Sequence, residues 1–325
     1  MHPCFFKDLG PISISTIQRN IECDTYNIDN DVTFLSFTGI NDLKKNELSF
    51  LSDSEYSDNI NYPSGTIICT NSIRDRLKEK NALIVVNDFQ SAVSTVSKMF
   101  YRSLTSNEIE ELDSPKIQSG CNIATTATIE NGSIIGKNVK IGHGSVIGYN
   151  CVIGDDVTID NNTVITNSII AEHVHIGRNV SIGQHGFGFA IHNKSNVRTF
   201  HKGRVILQAG VNIGSNCSID RGSFSDTCIG ENTFFDNLCH IAHNVVVGNN
   251  CIFAGMTGIA GSTNIGDNVM AGGQTGIAGH LNIGNNVKIA AQSGVLNDIQ
   301  DNSSVMGHPA INKYKYIKNY KKNYA

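Results

Sequence analysis

The sequence predicts a mainly β protein organised around a parallel β-helix of hexapeptide repeats, and two observations lead to this prediction. Apolar residues recur at every sixth position across residues 229–295, twelve times in succession. An amphipathic helix would repeat at about 3.6 residues and a strand at about two, so a period of six indicates a solenoid of short strands and tight turns. The chain also has 31 glycines and only 17% charged residues, as is typical of a turn-dense β protein. The repeating positions are Ile229, Phe235, Ile241, Val247, Phe253, Ile259, Ile265, Ala271, Ile277, Ile283, Ile289 and Val295.

Residues 1–105 show no such period and are predicted to form a small α/β domain. Four β-rich runs separated by Asn, Asp, Ser and Gly clusters predict strands near 32–37, 48–51, 66–69 and 83–86. The polar segment 73–80 predicts a surface helix. Asp88 is a good N-cap for a second helix, whose apolar face would contain Phe89, Val93, Val96 and Phe100. The polar run 105–115 is interpreted as a link to the β-helix.

The β-helix is predicted to occupy residues 106–300. An earlier block of the same period precedes the long run, and the register slips near 169–173 and 224–228. The frequent pattern I-G-x-N places Gly and Asn where turns need a positive φ. Three hexapeptides would form one triangular coil of about 18 residues, and coils would stack at about 4.8 Å. Helices of this kind wind left-handed, although the period itself does not show the hand. The earlier block comprises Ile135, Ile141, Ile147, Ile153, Ile159 and Ile165.

The period breaks again across residues 185–204, which include Gly186-Phe187-Gly188-Phe189. This segment is predicted to leave the prism as an arm. It could contact another copy of the chain, cover a groove, or be a mobile insertion, and the sequence leaves these alternatives open.

Composition excludes several classes of function. A formal net charge of −4 argues against bulk attraction to nucleic acid. The nine cysteines form no C-x-x-C pair, so neither a zinc site nor a redox motif is indicated, and a reducing compartment is favoured. We find no signal peptide and no apolar run long enough to span a membrane, and we therefore expect a cytoplasmic protein. Cys121, Cys151, Cys217, Cys239 and Cys251 follow ladder positions by four residues, where a small buried side chain is expected.

Four motifs, by their order and spacing, closely resemble the UDP-3-O-acylglucosamine N-acyltransferase family of lipid A biosynthesis. The resemblance covers nearly the whole chain, including the first domain, the prism, the Gly-Phe segment and a short C-terminal extension. The motifs are Gln184-His185-Gly186-Phe187-Gly188-Phe189-Ala190, Ile219-Asp220-Arg221-Gly222, Asp236-Asn237-Leu238-Cys239-His240-Ile241-Ala242-His243-Asn244-Val245 and Gly276-Ile277-Ala278-Gly279-His280.

The resemblance implies a homotrimer of left-handed β-helices with active sites in grooves between neighbouring prisms. Such enzymes transfer a 3-hydroxyacyl chain from acyl carrier protein, on its 4'-phosphopantetheine arm, to the 2-amine of UDP-3-O-acylglucosamine. They need neither a metal nor another cofactor.

Amide formation from a thioester needs a base with a pKa near neutrality, and histidine fits best. His243 lies two residues after Ile241, outside the inward-facing set, and fills the catalytic position of the family motif. The resemblance also implies that Asp236 orients this imidazole and that Gly261 donates a backbone N–H to the thioester oxygen. Asn237 and His280 are predicted to contact the substrate, a structural role for His280 being the alternative.

The first domain is implied to bind uridine. Phe50 and Tyr56 match the family pattern Phe-x-x-Asn-x-x-Tyr, whereas composition alone favours a core position for Phe50. The family Asn is replaced here by Asp53, and Ser54-Glu55 replaces the usual Pro-Lys. A carboxylate can accept a hydrogen bond from the uracil N–H but cannot donate to its carbonyl groups, so the uridine contacts of this chain are expected to differ.

Three alternatives remain at this point. An O-acyltransferase or acetyltransferase acting on a UDP-sugar could use the same ladder, and so could a non-catalytic hexapeptide scaffold. Cys239 could in principle act as an acyl nucleophile, but its ladder position predicts an inward-facing core side chain.

The basic C-terminal tail, residues 301–325, is predicted either to steer the acidic carrier protein or to be a solvated extension. Its basic residues are Lys313, Lys315, Lys318, Lys321 and Lys322.

Overall fold

The computed structural model describes residues 4–53, 56–57, 60–192 and 195–307. Within these residues, the strands of the solenoid form three parallel sheets of ten, nine and nine strands, which are the three faces of a prism. The first face contains Asn122–Ile123, Lys140–Ile141, Thr158–Ile159, His175–Ile176, Asn212–Ile213, Phe234–Phe235, Ile252–Phe253, Met270–Ala271, Lys288–Ile289 and Ser304–Val305.

The second face contains Thr128–Ile129, Val146–Ile147, Val164–Ile165, Ser181–His185, Ser218–Arg221, His240–Ile241, Gly258–Ile259, Gly276–Ile277 and Gly294–Val295. The third contains Lys116–Ile117, Ile134–Ile135, Val152–Ile153, Ser168–Ile170, Val205–Leu207, Thr227–Ile229, Val246–Val247, Asn264–Ile265 and Asn282–Ile283. Partners in register along the second face, such as Ile241 and Ile259, are 18 residues apart. The predicted parallel β-helix of hexapeptide repeats is thus confirmed.

The interior of the prism is filled by the residues that set the period. All twelve predicted positions are buried, and even Val295 is only 6% exposed. Burial of these side chains along every coil is the main favourable term that holds so many two-residue strands together. Four of the five ladder cysteines are buried as predicted, whereas Cys121, near the first coil, is only partly covered.

The corners of the prism refine the prediction for the I-G-x-N pattern. The Asn takes the left-handed conformation, with φ of 56° at Asn138 and 57° at Asn150. The Gly serves a different purpose, because a Cβ at Gly136 would lie 2.6 Å from the backbone of Gly154 in the next coil. This position therefore requires Gly for close stacking of coils rather than for a positive φ.

The first domain has a four-stranded sheet in the order Asp24–Tyr26, Ala82–Val85, Thr66–Cys69, Leu48–Phe50, of which only the first pair is antiparallel. Two small antiparallel pairs flank it, Phe6–Asp8 with Tyr101–Ser103 and Ile12–Ser13 with Thr33–Phe34. Leu48–Phe50, Thr66–Cys69 and Ala82–Val85 agree with predicted strands, and Thr33–Phe34 is shorter than the predicted run at 32–37. The other strands of this domain were not foreseen, namely Phe6–Asp8, Ile12–Ser13, Asp24–Tyr26 and Tyr101–Ser103.

Helices α1 (Ile14–Asn20), α2 (Asn71–Leu77), α3 (Phe89–Phe100) and α4 (Ser106–Glu110) accompany these sheets, with a short 3₁₀ turn at Ile40–Asp42. Asp88 caps α3 as predicted, because its carboxylate accepts from the Ser91 N–H at 3.1 Å. Helix α4 lies inside the segment interpreted as a link, and a capping box between Thr105 and Glu108 stabilises it.

The first domain packs directly on the β-helix. Phe224, from the loop where the ladder slips, contacts Phe37 and Phe50 with ring centroids 5.0 Å and 4.7 Å away. The arm folds back as a hairpin, Phe189–His192 with Ser195–Arg198, and the carbonyl of Arg198 accepts from Ser94 of α3 at 3.2 Å. Across the described residues, no helix combines the length and apolar character needed to cross a membrane. Residues 308–325, which include most of the basic tail, lie outside the described part of the chain.

Candidate functional site

His243 lies at the corner between the second and third faces, at one end of an apolar groove. The groove has a volume of about 550 Å³ and is lined mainly by small residues of successive coils. It runs over three strand spacings, about 14 Å, from His240 to Val295. Its lining includes Phe187, Ala242, Gly258, Ala260, Gly276, Ala278 and Leu296. A half-buried imidazole therefore borders an apolar groove.

The imidazole of His243 is fixed on both sides. Nδ1 is 3.0 Å from Oδ1 of Asn244, a residue to which the sequence assigned no role. On the other side, a Cβ at Gly261 would stand 2.9 Å from Nε2, so the ring lies directly over this glycine. Gly186 of the arm also lies close to this side chain, since a Cβ there would be 2.8 Å from Cβ and 3.1 Å from Cδ2 of His243.

The backbone N–H of Gly261 lacks a cap that several equivalent groups at the other two corners have. Side chains one coil further on cap those groups, as Asp267 caps Asn249 at 2.7 Å and Asn161 caps His143 at 3.0 Å. The residue one coil beyond Gly261 is Gly279, which has no side chain. Within the described residues the Gly261 N–H has no hydrogen-bond acceptor, and it lies in the groove beside His243.

Asp236 lies at a different corner of the same chain, between the first and second faces. Its carboxylate accepts from Asn237 N at 2.7 Å, from Asn237 Nδ2 at 2.9 Å and from Gly255 N at 3.1 Å. Asn237 in turn caps the N–H of Ser215 at 2.8 Å. Within one chain these two residues therefore stabilise a turn, and the structure does not bring them to the imidazole of His243.

His280 belongs to the same corner as His243, two coils further on. Its N–H donates to the carbonyl of Gly261 at 3.0 Å, and its φ of 61° places it in the left-handed turn position. The side chain is exposed and is not among the residues that line the groove. This placement is compatible with either predicted role.

The sequence did not assign roles to several polar residues that surround His243. Asp220 is buried, and its Oδ1 accepts a hydrogen bond from Nε2 of Gln184 at 2.7 Å. Its Oδ2 lies 3.8 Å from Nε2 of His240. Burial raises the pKa of Asp220, while His240, Gln184 and His243 lower it in part. Two further histidines pack behind His243: His201 meets its ring edge-to-face at 5.3 Å, and His185 stacks on His201 at 4.2 Å. The motifs quoted above contain Asp220 and His185, but only the fold brings them next to His243.

Burial keeps His201 neutral. Only 1% of its surface is exposed, and burial, with smaller contributions from His185, His243 and Arg221, lowers its pKa to about 2. Nδ1 of His201 has no hydrogen-bond partner within the described residues. Across those residues, no cluster of His, Cys, Asp and Glu side chains is placed to hold a metal ion.

Cys239 faces the interior of the prism, as its ladder position predicts, and is 2% exposed. Its contact with the Cys217 thiol and its burial raise its pKa, which disfavours the thiolate. A nucleophilic role for this thiol therefore has no support in the geometry.

The residues predicted to hold uridine lie in two separate aromatic clusters. Phe50 packs on Phe37 and Phe224, whereas Tyr56 stacks on Tyr62 at 5.8 Å and lies beneath the guanidinium of Arg76 at 5.5 Å. The Asp53 carboxylate accepts from Ser72 and Thr70 at the start of α2, and these hydrogen bonds hold its pKa below the ordinary value. Ser54 and Glu55, which also depart from the family pattern, lie outside the described residues.

Comparison with known families identifies two repeat regions. Residues 113–207 match the family described as the GMPPB C-terminal domain, and residues 226–261 match the family described as bacterial transferase hexapeptide (six repeats). The second match lies on the part of the ladder that contains His243 and Gly261.

Curated proteins named UDP-3-O-acylglucosamine N-acyltransferase are similar over a shorter stretch. The protein of Caulobacter vibrioides is 46% identical over 76 residues, 23% of this chain and 22% of the relative. Those of Methylobacterium nodulans and Maricaulis maris are 50% identical over 78 residues and 52% over 63 residues, covering 24% and 19% of this chain and 22% and 18% of the relatives. The chain thus matches about a fifth of the length of each of these relatives.

Solved structures support the fold over a longer region. LpxA from Acinetobacter baumannii is 26% identical, with 62% of this chain and 78% of that chain covered and a TM-score of 0.53. UDP-N-acetylglucosamine acyltransferase from Campylobacter jejuni is 24% identical, with 63% and 79% covered and the same TM-score. These findings confirm the hexapeptide-repeat fold, and the curated relatives confirm the resemblance stated from the four motifs.

Proposed function

We propose that this protein is an N-acyltransferase of lipid A biosynthesis that uses His243 as its general base. The acyl group would be a 3-hydroxyacyl chain carried by acyl carrier protein, and the acceptor would be the 2-amine of UDP-3-O-(3-hydroxyacyl)-glucosamine. The names of the curated relatives, with 46–53% identity over their matched stretches, support this reaction.

The observation that supports the proposal most directly is the pairing of His243 with Gly261 at the end of the apolar groove. Nε2 of His243 lies over Gly261, whose N–H has no acceptor among the described residues. The proposed base thus lies against the glycine proposed as the oxyanion donor, beside a groove whose apolar lining suits an alkyl chain.

In the proposed reaction, the acceptor amine attacks the carbonyl carbon of the thioester while Nε2 of His243 takes a proton from it. The Gly261 N–H donates to the carbonyl oxygen as negative charge develops there, a contact that is worth about 3 kcal/mol in comparable sites. The carbon–sulfur bond then breaks, and the leaving thiolate of the phosphopantetheine arm takes the proton from the imidazolium. The products are an amide and a free thiol, so no metal or redox cofactor is required.

The proposed assembly is a homotrimer with the site shared between neighbouring prisms. Asp236 and Asn237 lie at another corner of the prism from His243, so any direct contact of these residues with the reacting groups would come from a neighbouring copy. The proposal that Asp236 orients the imidazole therefore depends on this assembly. Light scattering that gives the mass of one chain would contradict the trimer.

The test is transfer from 3-hydroxyacyl carrier protein to UDP-3-O-acylglucosamine by the wild type, His243→Ala and His143→Ala. His143 also lies two residues after a ladder isoleucine, at an exposed corner far from the groove lining, and it serves as the matched control. We expect His243→Ala to lose about 10²–10⁴-fold in kcat, the usual contribution of a general base, while His143→Ala keeps wild-type turnover. Undiminished transfer by His243→Ala would exclude it as the base.

A second candidate is an O-acyltransferase that acts on a UDP-sugar, because the structure from Campylobacter jejuni that shares the fold is named UDP-N-acetylglucosamine acyltransferase. The packing of the first domain on the β-helix through Phe224 and Phe50 argues for an acceptor site that includes this domain. A panel of acyl donors and UDP-sugar acceptors separates the two activities. Preferred use of acetyl-CoA, or of a hydroxyl acceptor, would favour the second candidate.

A further inference from the structure

We infer that Asn244 is a positioning residue that fixes the tautomer of His243, with the proton on Nδ1 and the lone pair on Nε2. The kinetic consequence of this inference rests on the proposed function, whereas the protonated nitrogen can be observed independently of any activity. The inference depends on the hydrogen bonds of one side-chain amide.

The backbone defines which end of the Asn244 amide is oxygen. The N–H of Ser223 donates to Oδ1 at 3.0 Å, and a backbone N–H can only donate. At the other end, Nδ2 donates to the carbonyl oxygen of Ser225 at 3.1 Å, and a carbonyl can only accept. Exchanging the two amide atoms would set donor against donor and acceptor against acceptor, so the orientation of the amide is determined.

The orientation of the amide in turn determines the tautomer of the imidazole. Oδ1 of Asn244 can only accept, and it lies 3.0 Å from Nδ1 of His243. Nδ1 must therefore hold the proton in the neutral ring, which leaves the lone pair on Nε2. A Cβ at Gly261 would lie 2.9 Å from Nε2 and 3.2 Å from Nδ1, so the lone pair is on the ring nitrogen nearer to this glycine. The opposite tautomer would bring two lone pairs together at this contact.

Asn244 is hydrogen-bonded to a loop that is inserted into the hexapeptide repeat. The ladder positions Ile219 and Ile229 are ten residues apart instead of six, and the additional residues form this loop. Its hydroxyl groups complete the contacts of Asn244: Ser223 Oγ lies 2.7 Å from Oδ1, Ser225 Oγ lies 2.7 Å from Nδ2, and Thr227 Oγ1 accepts from the Asn244 N–H at 2.9 Å.

The same loop is hydrogen-bonded to the end of the arm. Asp226 accepts from Arg204 Nη2 at 2.6 Å and from the Arg204 N–H at 2.8 Å. The two interruptions of the ladder, the arm and the loop, are thus joined to each other and both reach His243. An otherwise regular corner asparagine becomes a residue with every polar atom of its side chain engaged.

The kinetic experiment compares Asn244→Ala, Asn244→Asp and Asn250→Ala. Asn250 is the matched control, because it has the same left-handed turn conformation, φ 56° against 61°, at a corner away from the groove lining. Asn244→Ala removes the acceptor and should lower kcat by about 10²-fold with little change in KM, since part of the contribution of the base is lost. Asn244→Asp keeps an acceptor towards Nδ1 and should retain kcat to within about tenfold. Wild-type kcat in Asn244→Ala would overturn the inference.

The spectroscopic experiment uses nitrogen-15 spectra of histidine-labelled protein at alkaline pH, with His243 assigned by its loss in His243→Ala. We expect the signature of Nδ1–H in the wild type and in Asn250→Ala, and a mixture of tautomers in Asn244→Ala. A wild-type ring protonated on Nε2 would overturn the inference, even if Asn244→Ala does not fold. If the wild type transfers no acyl group at all, the proposed function fails while the spectra still decide the role of Asn244.

Discussion

The ring of His243 lies against the backbone of Gly261 so closely that no side chain fits between them. A Cβ atom at Gly261 would stand 2.8 Å from Cε1 and 2.9 Å from Nε2 of the imidazole. Distances below about 3 Å are shorter than van der Waals contact between such atoms, so an added methyl group must displace the ring.

From this contact we predict that Gly261→Ala folds but loses activity. Displacing the imidazole by about 1 Å from its position near the oxyanion donor should lower kcat about 10²-fold. Gly294→Ala is the control, because nothing lies within 4 Å of a Cβ at that position. Thermal unfolding and acyl transfer are measured for both variants. Equal turnover by Gly261→Ala and the wild type would contradict the tight contact as a determinant of the site.

The fold could be predicted because one physical requirement, a buried side chain once per hexapeptide, is repeated along the sequence. Residues such as Ile241 and Phe253 are fully buried, as their spacing indicates. The proposed base His243 could be selected because it is a polar residue outside the buried positions of the repeat, within a recognisable motif. The contacts around it could not, since Asn244 resembles every other corner asparagine until the loop at 222–226 folds over it.

The sequence separation of two residues does not by itself describe which residues they contact within one chain. Asp236 and His243 are seven residues apart, which in a triangular coil places them at successive corners instead of side by side. Phe50 and Tyr56 flank one turn, yet each packs into a different cluster because Phe224 and Tyr62 approach from distant segments. Such contacts depend on tertiary packing, which local spacing does not describe.

We predict that Ile241→Asp prevents folding, whereas Val164→Asp is tolerated. Ile241 is fully buried in the prism, so aspartate there would lose the packing of the isoleucine and bury an unpaired carboxylate. Together these costs exceed about 5 kcal/mol, a large share of the stability of an ordinary domain. Val164 faces outward and is 40% exposed. Soluble expression and circular dichroism provide the comparison, and a well-folded Ile241→Asp protein would refute the inward position.

The packing of Phe50 predicts two separable effects of Phe50→Ala. Removing a half-buried ring that contacts Phe37 and Phe224 should lower the free energy of unfolding by about 2–3 kcal/mol. If the ring also stacks on uridine, KM for the UDP-sugar should rise while the trimer stays intact. Denaturant unfolding and steady-state kinetics measure the two effects independently. A loss of stability with an unchanged KM would leave Phe50 as a core residue only.

The buried ring of His201 predicts that stability falls in mild acid. Burial lowers its pKa from 6.5 to about 2, so between these values the unfolded chain binds a proton that the folded chain does not. The contribution is therefore present above pH 6.5 and is lost as the pH falls, by up to about 1.4 kcal/mol for each pH unit. His201→Gln should show a shallower decline of unfolding free energy than the wild type or His143→Gln, which alters an exposed histidine. Urea unfolding between about pH 7.5 and pH 5.5 measures the slopes, and identical slopes in all three proteins would show that His201 takes up its proton without unfolding.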